Sequence, residues 1–343
     1  MTLTLVTGGT GYLGRHLVAE LLRQGRAVRV LHRAGSDTSG LDGVELVAGD
    51  VTSRDDLARA LDGASRVFHC AAEEREGQEP ALYDAVNHLA VESFLTLAHE
   101  HGVERFVHTS SYFAVGRTGE PRSAPDQVAD EYWTHDPGDM HDALEQSKYD
   151  GEHAVNQHVS TSEPVLALMP TMIYGPELRP VSGVGDLRPA NRIVRMLADH
   201  AAGRYPGMPG SGDQIWNLVH VEDVARGHVQ AMDTDDGNGV WPPPRALHWH
   251  YFLGGENVTL ADLFGRFAGL AGVAAPKAVK VRGGLAGKLL GRGDPRPPGL
   301  FARESHSWAY SSEFARKDFD YQGRPLDEGL AQTVEWMRGH GLL

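Results

Sequence analysis

Cysteine is all but absent: Cys70 is the single one in 343 residues. That excludes an intrachain disulfide framework and a multi-thiolate metal site, and it fits a reducing, cytoplasmic setting. Positive charge is also scarce. Lys plus Arg number 32 against 46 Asp plus Glu, a net charge of −14. So acidic a surface repels phosphate backbones and anionic headgroups, so nucleic acid and membranes are not expected as partners. No apolar run approaches the ~20 residues needed to span a bilayer. The opening Met1–Thr7 runs straight into a glycine-rich turn and reads as a first strand rather than a signal peptide. Without an export signal, the acceptor pattern Asn257-Val258-Thr259 carries no expectation of glycosylation.

Glycine is in excess: 41 residues, about 12 % of the chain against a usual ~7 %. With no collagen-like period and no Gly/Ser tract, the surplus must serve turns and close backbone approaches. The length allows two domains, or one large domain with a lobe.

The N-terminal half alternates short β-branched runs with helical periods. Leu3–Thr7, Ala27–His32, Glu45–Ala48, Arg66–Cys70, Arg105–Thr109 and Val165–Met169 are expected strands; Tyr12–Arg23, Ser53–Leu61 and Leu82–Glu100 are expected helices. This alternation predicts an α/β, Rossmann-type doubly wound parallel sheet covered on both faces. The stretch 176–212, rich in Pro, Gly and Arg, breaks the pattern; Ile215–Val221 and a helix from Glu222 restore it. Later come a strand at His250–Leu253, a helix starting near Thr259 and a final helix from Leu326 to about Gly339. The expected division is a nucleotide-binding domain, 1–175 with 213–235 returning to it, and a smaller C-terminal α/β substrate lobe, 176–212 with 236–343.

The turn Thr7-Gly8-Gly9-Thr10-Gly11-Tyr12-Leu13-Gly14 joins the first strand to the first helix. Gly8, Gly11 and Gly14 supply a tight turn, a close approach for a pyrophosphate and helix–strand packing, while the helix N-terminus supplies amide donors. A site for NAD usually places a carboxylate about 20 residues further on, to accept from the ribose 2′-hydroxyl. Arg33 stands there instead, and a guanidinium suits a 2′-phosphate, so NADP(H) is the expected cofactor. Ser36 is a nearby hydroxyl donor.

With these motifs the chain resembles the extended short-chain dehydrogenase/reductases, a family that includes sugar-nucleotide epimerases and dehydratases, dihydroflavonol-type reductases and 3β-hydroxysteroid dehydrogenases. The resemblance runs through Gly49-Asp50-Val51, His69-Cys70-Ala71-Ala72, Asn87, His108-Thr109-Ser110-Ser111 with Gly116, Ser147-Lys148, and Pro170-Thr171-Met172-Ile173-Tyr174-Gly175. It implies that Tyr12, Leu13, Asp50, Val51, Ala71, Ala72, Pro170 and Met172 join the glycines around the dinucleotide. It further implies that Asn87 helps place the active site, that Ser111 positions a substrate oxygen, that Lys148 binds the ribose, that Tyr174 runs beside the substrate, and that the protein pairs into a homodimer.

One position departs from the family pattern. A tyrosine four residues before the lysine acts there as general acid/base, because a nearby cation stabilises its phenolate. Here that residue is Leu144, which has no proton to give. His141, on the same helical face, and Tyr112, next to Ser111, are candidate replacements, and Leu144 would shape an apolar substrate pocket. Tyr149, adjacent to Lys148, points away and is expected in the core.

Three functions stay open. One is an NADP(H)-dependent reductase or dehydrogenase acting on a carbonyl or secondary alcohol of a small metabolite. The others are a non-redox epimerase, dehydratase or cyclase retaining the cofactor, and a catalytically silent NADP-binding regulatory protein. No metal is expected: the loop His135–Asp142 collects ligand types, but at no zinc spacing. The basic stretch from Lys277 to Arg303 reads as a solvated lobe surface.

Overall fold

A computed structural model describes residues 2–118, 128–133, 140, 142–159, 164–235, 241, 250–279 and 303–343. Its centre is a seven-stranded parallel sheet. In chain order the strands and helices of the first half are β1 (Leu3–Thr7), α1 (Tyr12–Arg23), β2 (Ala27–His32), β3 (Glu45–Ala48), α2 (Arg54–Leu61), β4 (Ala64–His69), α3 (Pro80–Asp84), α4 (Ala90–Glu100), β5 (Arg105–Thr109), α5 (Ala143–Val159) and β6 (Val165–Pro170). β10 (His250–Leu253) completes the sheet in the order β10-β6-β5-β4-β1-β2-β3. The strand order reverses beside β1, so the carboxyl ends of β1 and β4 open a crevice of the kind that takes ligands in such sheets.

Local signals account for the boundaries. Ser53 caps α2 by accepting from the Asp56 amide at 3.3 Å. α1 differs: its N-cap is Gly11, with no side chain to satisfy the first-turn amides, which leaves those donors for a ligand. Between α3 and α4 the chain makes a π-helical turn, Ala85–Leu89. α5 crosses it closely: a Cβ on Gly151 would lie 2.1 Å from the Asn87 carbonyl oxygen, so only glycine fits.

The second half builds over the crevice. β7 (Met172–Tyr174), β9 (Ile215–His220) and β11 (Glu256–Thr259) form a three-stranded sheet. α6 (Arg192–Ala201), α7 (Val221–Asp233), α8 (Leu260–Ala271), α9 (Glu313–Phe319) and α10 (Leu326–Gly339) surround it, with the short strands β8 (Met208–Pro209) and β12 (Ala278–Val279) paired to each other. Two placements differ from the expected division. β10, assigned to the lobe, joins the main sheet because Tyr251, Phe252 and Leu253 are all fully buried there. β9, in the segment expected to return to the first domain, pairs instead with β7 and β11, while α7 packs on α1. No described helix is long and apolar enough to cross a membrane.

Candidate active site

The carboxyl ends of β1, β2, β4 and β5 open onto a groove of about 410 Å³. Its floor is the glycine turn. Gly8 has a φ of +70°, and a Cβ there would meet the backbone of Cys70 and Ala71 at 2.6 Å. Gly11 N–H donates to the Gly8 carbonyl at 2.8 Å, closing the turn. Gly14 is equally constrained, since its Cβ would lie 2.1 Å from the Gly8 oxygen. Tyr12, Leu13, Arg33, Asp50, Val51, Ala71, Ala72 and Pro170 line the same groove, together with Ser36. Tyr12 does more than line it: its hydroxyl donates to the Gly175 carbonyl at 3.0 Å, tying α1 to the loop after β7. Arg15, buried, donates to the carbonyls of Asp37 and Ser39 and holds the loop beyond β2 against the groove. A glycine cradle that a Cβ would fill, an uncapped helix N-terminus and a guanidinium at the end of β2 together fit a dinucleotide.

At the inner end, Asn87 organises the wall of the groove. Its amide donates to the Glu73 carbonyl at 3.1 Å and to Ser147 Oγ at 3.0 Å, and its oxygen accepts from the Glu73 amide at 2.8 Å. The segment after β4 is thereby fixed to α5. Lys148, 7 % exposed, projects from α5 into the groove. Its Nζ lies 2.7 Å from Glu74 Oε1. Glu74 in turn pairs with Arg192 at 3.4 Å, and Glu76 lies 3.8 Å from Arg192 and 3.2 Å from Arg303. Arg303 also pairs with Glu145 at 2.7 Å and with Asp142. Burial raises the Glu74 carboxyl, but the Lys148 and Arg192 charges outweigh it and hold the group below its ordinary range.

A second cavity, about 340 Å³, adjoins the groove. Glu74, Arg75, Tyr112, Phe113, Pro189 and Arg192 line both. Beyond that shared wall the second cavity is strongly apolar, with Ile193, Met196, Trp216 and Trp308. Phe113 carries the Arg192 guanidinium at 5.0 Å and that of Arg303 at 4.8 Å over its ring. Tyr112 packs edge-on against Trp308, 5.3 Å between centroids.

Ser111 lines the groove and accepts from the Phe113 amide at 3.2 Å, capping the short helical turn Tyr112–Ala114. The structure thus brings Ser111, Tyr112 and Lys148 to one wall. It separates others from it. Leu144, 1 % exposed, belongs to the core cluster with Tyr83, Phe113 and Met169, and lines neither cavity. Tyr174, also 1 % exposed, faces Gly329 and the ring of His220 and lines neither. These correct the expectation of pocket-lining roles: both side chains are packed into the same buried core cluster. Met172 borders the second cavity rather than the dinucleotide groove. His141 lies outside the described residues, as does most of the loop His135–Asp142. Tyr149 is partly buried and stacks on His153 rather than sitting in the core.

Sequence reasoning missed Glu74, Arg192 and Arg303. Arg303 was assigned to a solvated basic surface, whereas it is buried among carboxylates; residues 280–302 of that stretch lie outside the described residues. No motif marks these three, because the contacts that define them are tertiary.

Residues 4–241 match the profile of the NAD dependent epimerase/dehydratase family. The chain belongs to that family. Its members bind a nicotinamide dinucleotide. Among curated relatives, the chain is similar to sterol demethylase protein B of Methylococcus capsulatus, 30 % identical over 357 residues that cover 99 % of each protein. It is also similar to a putative dihydroflavonol 4-reductase of Synechocystis, 29 % identical and covering 98 % of this chain and 94 % of that one. Among solved structures, that of gox2253 superposes with a TM-score of 0.80 at 29 % identity, over 100 % of both chains.

Proposed function

We propose that this family member is an NADP(H)-dependent oxidoreductase acting on a carbonyl or secondary alcohol of a largely apolar small molecule. The observation that carries the proposal is the wall shared by the two cavities, which at Glu74, Tyr112 and Phe113 sets the groove lined by Ser111 and Lys148 against an apolar, aromatic chamber. When bound, the cofactor supplies or takes the hydride at its nicotinamide ring. The amides of the Gly8–Gly14 turn hold the pyrophosphate, and Arg33 with Ser36 holds the 2′-phosphate. Asp50 and Val51 border the adenine, Ala71, Ala72 and Pro170 form the wall, and Lys148 takes the ribose. Ser111 and Tyr112 donate hydrogen bonds to the substrate oxygen. Ile193, Met196, Trp216 and Trp308 exclude water around the rest of the substrate. The name of one relative, sterol demethylase protein B, supports a bulky apolar ring system as the substrate class.

The test is a fluorescence titration with NADPH and NADH, followed by absorbance at the nicotinamide band with a panel of ketones and aldehydes. Binding of NADPH in preference to NADH and oxidation on at least one carbonyl are expected. Arg33→Ala should weaken NADPH by about 10-fold or more while leaving NADH unchanged, the loss of one charge-assisted contact of ~1.5–3 kcal/mol; equal loss for both cofactors refutes the 2′-phosphate assignment. Leu144 favours a second reading, a non-redox enzyme that retains the cofactor. Tight NADPH binding with no turnover across the panel selects it. Pairing of two copies through α4 and α5 belongs to the same proposal, and sedimentation velocity tests it.

A further inference from the structure

We propose that Glu74 is the proton-transferring residue of this site, taking the part that a phenol at position 144 would have. The inference rests on the oxidoreductase reading above. Glu74 enters from the segment after β4, is partly buried, and lines both the dinucleotide groove and the apolar chamber. Its Oε1 is 2.7 Å from Lys148 Nζ, so a carboxylate completes the ion pair with the helix lysine. Leu144, one turn before that lysine, is enclosed in the core and can neither give nor take a proton.

The groups facing Glu74 are Lys148 from α5, Arg192 from α6, Arg303 from the C-terminal segment and Tyr112 from the turn after β5. Tyr112 is the competing candidate. Its hydroxyl has no hydrogen-bond partner among the described residues, but burial pushes its pKa far above the ordinary phenol range. It therefore stays neutral and serves as a hydrogen-bond donor to the substrate oxygen, not as a base. Glu74, held below the usual carboxylate range by its cations, is ionised at neutral pH. That is the form an alcohol oxidation needs. The substrate O–H bond breaks and its proton bonds to a Glu74 oxygen. The C–H pair departs as hydride to the oxidised cofactor, and the freed O–H pair becomes the second C–O bond. The alcohol is oxidised by two electrons to a ketone, the cofactor is reduced, and the proton passes from Glu74 to water.

The experiment uses wild type, Glu74→Gln and Glu74→Ala with NADP⁺ and three probes: cyclohexanol, 2-octanol and dehydroepiandrosterone. NADPH affinity is titrated in parallel by fluorescence. Wild-type kcat/KM should be independent of pH across the neutral range, because the base is already ionised. Both variants should lose about 10²-fold or more in turnover. They should bind NADPH as tightly as wild type or more so, since a negative charge leaves the groove. Added formate should restore Glu74→Ala saturably. Turnover of Glu74→Gln within about threefold of wild type, or a wild-type profile that rises with unit slope toward alkaline pH, overturns the assignment. Loss without formate rescue, or loss of NADPH binding in both variants, makes Glu74 a positioning partner of Lys148 and also overturns it. NADPH binding with no oxidation of any probe by wild type overturns the oxidoreductase reading, and this inference with it.

Discussion

Gly14→Ala is the most direct test of the cofactor groove. The added methyl would sit 2.1 Å from the Gly8 oxygen, 2.7 Å from the Gly8 carbonyl carbon and 2.9 Å from the Gly9 Cα. All three are backbone atoms, so no side chain can swing aside. Relief requires the turn and the start of α1 to separate by about 1 Å, an overpacking strain of ~1–3 kcal/mol. The same displacement stretches amide–phosphate hydrogen bonds from about 2.9 Å to beyond hydrogen-bonding range. Losing two charge-assisted bonds at ~1.5–3 kcal/mol each weakens NADPH by at least about 100-fold. Fluorescence titration measures the affinity, and urea unfolding measures the strain. Gly265→Ala is the control: it lies inside α8 with nothing within 4 Å of its Cβ, so it should stabilise the fold by about 0.5–1 kcal/mol without touching the cofactor. NADPH affinity in Gly14→Ala within threefold of wild type would refute the assignment of this turn to the pyrophosphate.

Leu144→Tyr, the substitution that restores the family's residue, should destabilise by about 1–3 kcal/mol in urea, because it forces a larger ring and a hydroxyl into the core cluster; unchanged stability refutes that account. Arg324 donates to Asp223 at 2.8 to 3.1 Å and to Glu222 at 2.8 Å, and Asp223 is buried. Burial raises the Asp223 carboxyl, yet the Arg324 hydrogen bonds and charge hold it below its usual range. A lowered carboxyl stabilises above its unfolded pKa, and that stability is lost as pH falls through the folded one. Arg324→Met should therefore cost about 3 kcal/mol or more at neutral pH. Its stability should also fall less steeply than wild type below the ordinary carboxylate range. Parallel slopes in acid refute the linkage.

The strands β1, β2, β3 and β5 and the helices α1 and α10 stand at the residues that their alternation, caps and glycines indicate. Those signals are local, and a strand ending in a glycine turn needs no tertiary information. β4 begins two residues early, at Ala64, since Ala64 pairs across a register irregularity with Leu3. α6 was hidden by the Pro- and Gly-rich residues around it, although Ile193, Val194, Met196 and Leu197 carry the helical spacing and are all buried. The floor of the groove was legible because the Gly8–Gly14 turn is one contiguous motif, and the rest of its lining stands mostly at the ends of strands. The charged wall was not: Glu74, Lys148, Arg192 and Arg303 come from four separate segments, and pairing among them follows only from how α6 and the C-terminal segment fold back over the sheet.

The way Arg303 and Trp308 close the apolar chamber bears on synthesis of the protein. Every described residue that lines the groove lies at or before Arg192, and six of the seven strands of the main sheet are made by Pro170. The chamber, by contrast, needs residues from the final tenth or so of the chain. On the ribosome, the glycine turn and six strands of the main sheet thus emerge before the chamber has the wall that Arg303 and Trp308 supply, so the enclosed space is the last part of the two cavities to be completed.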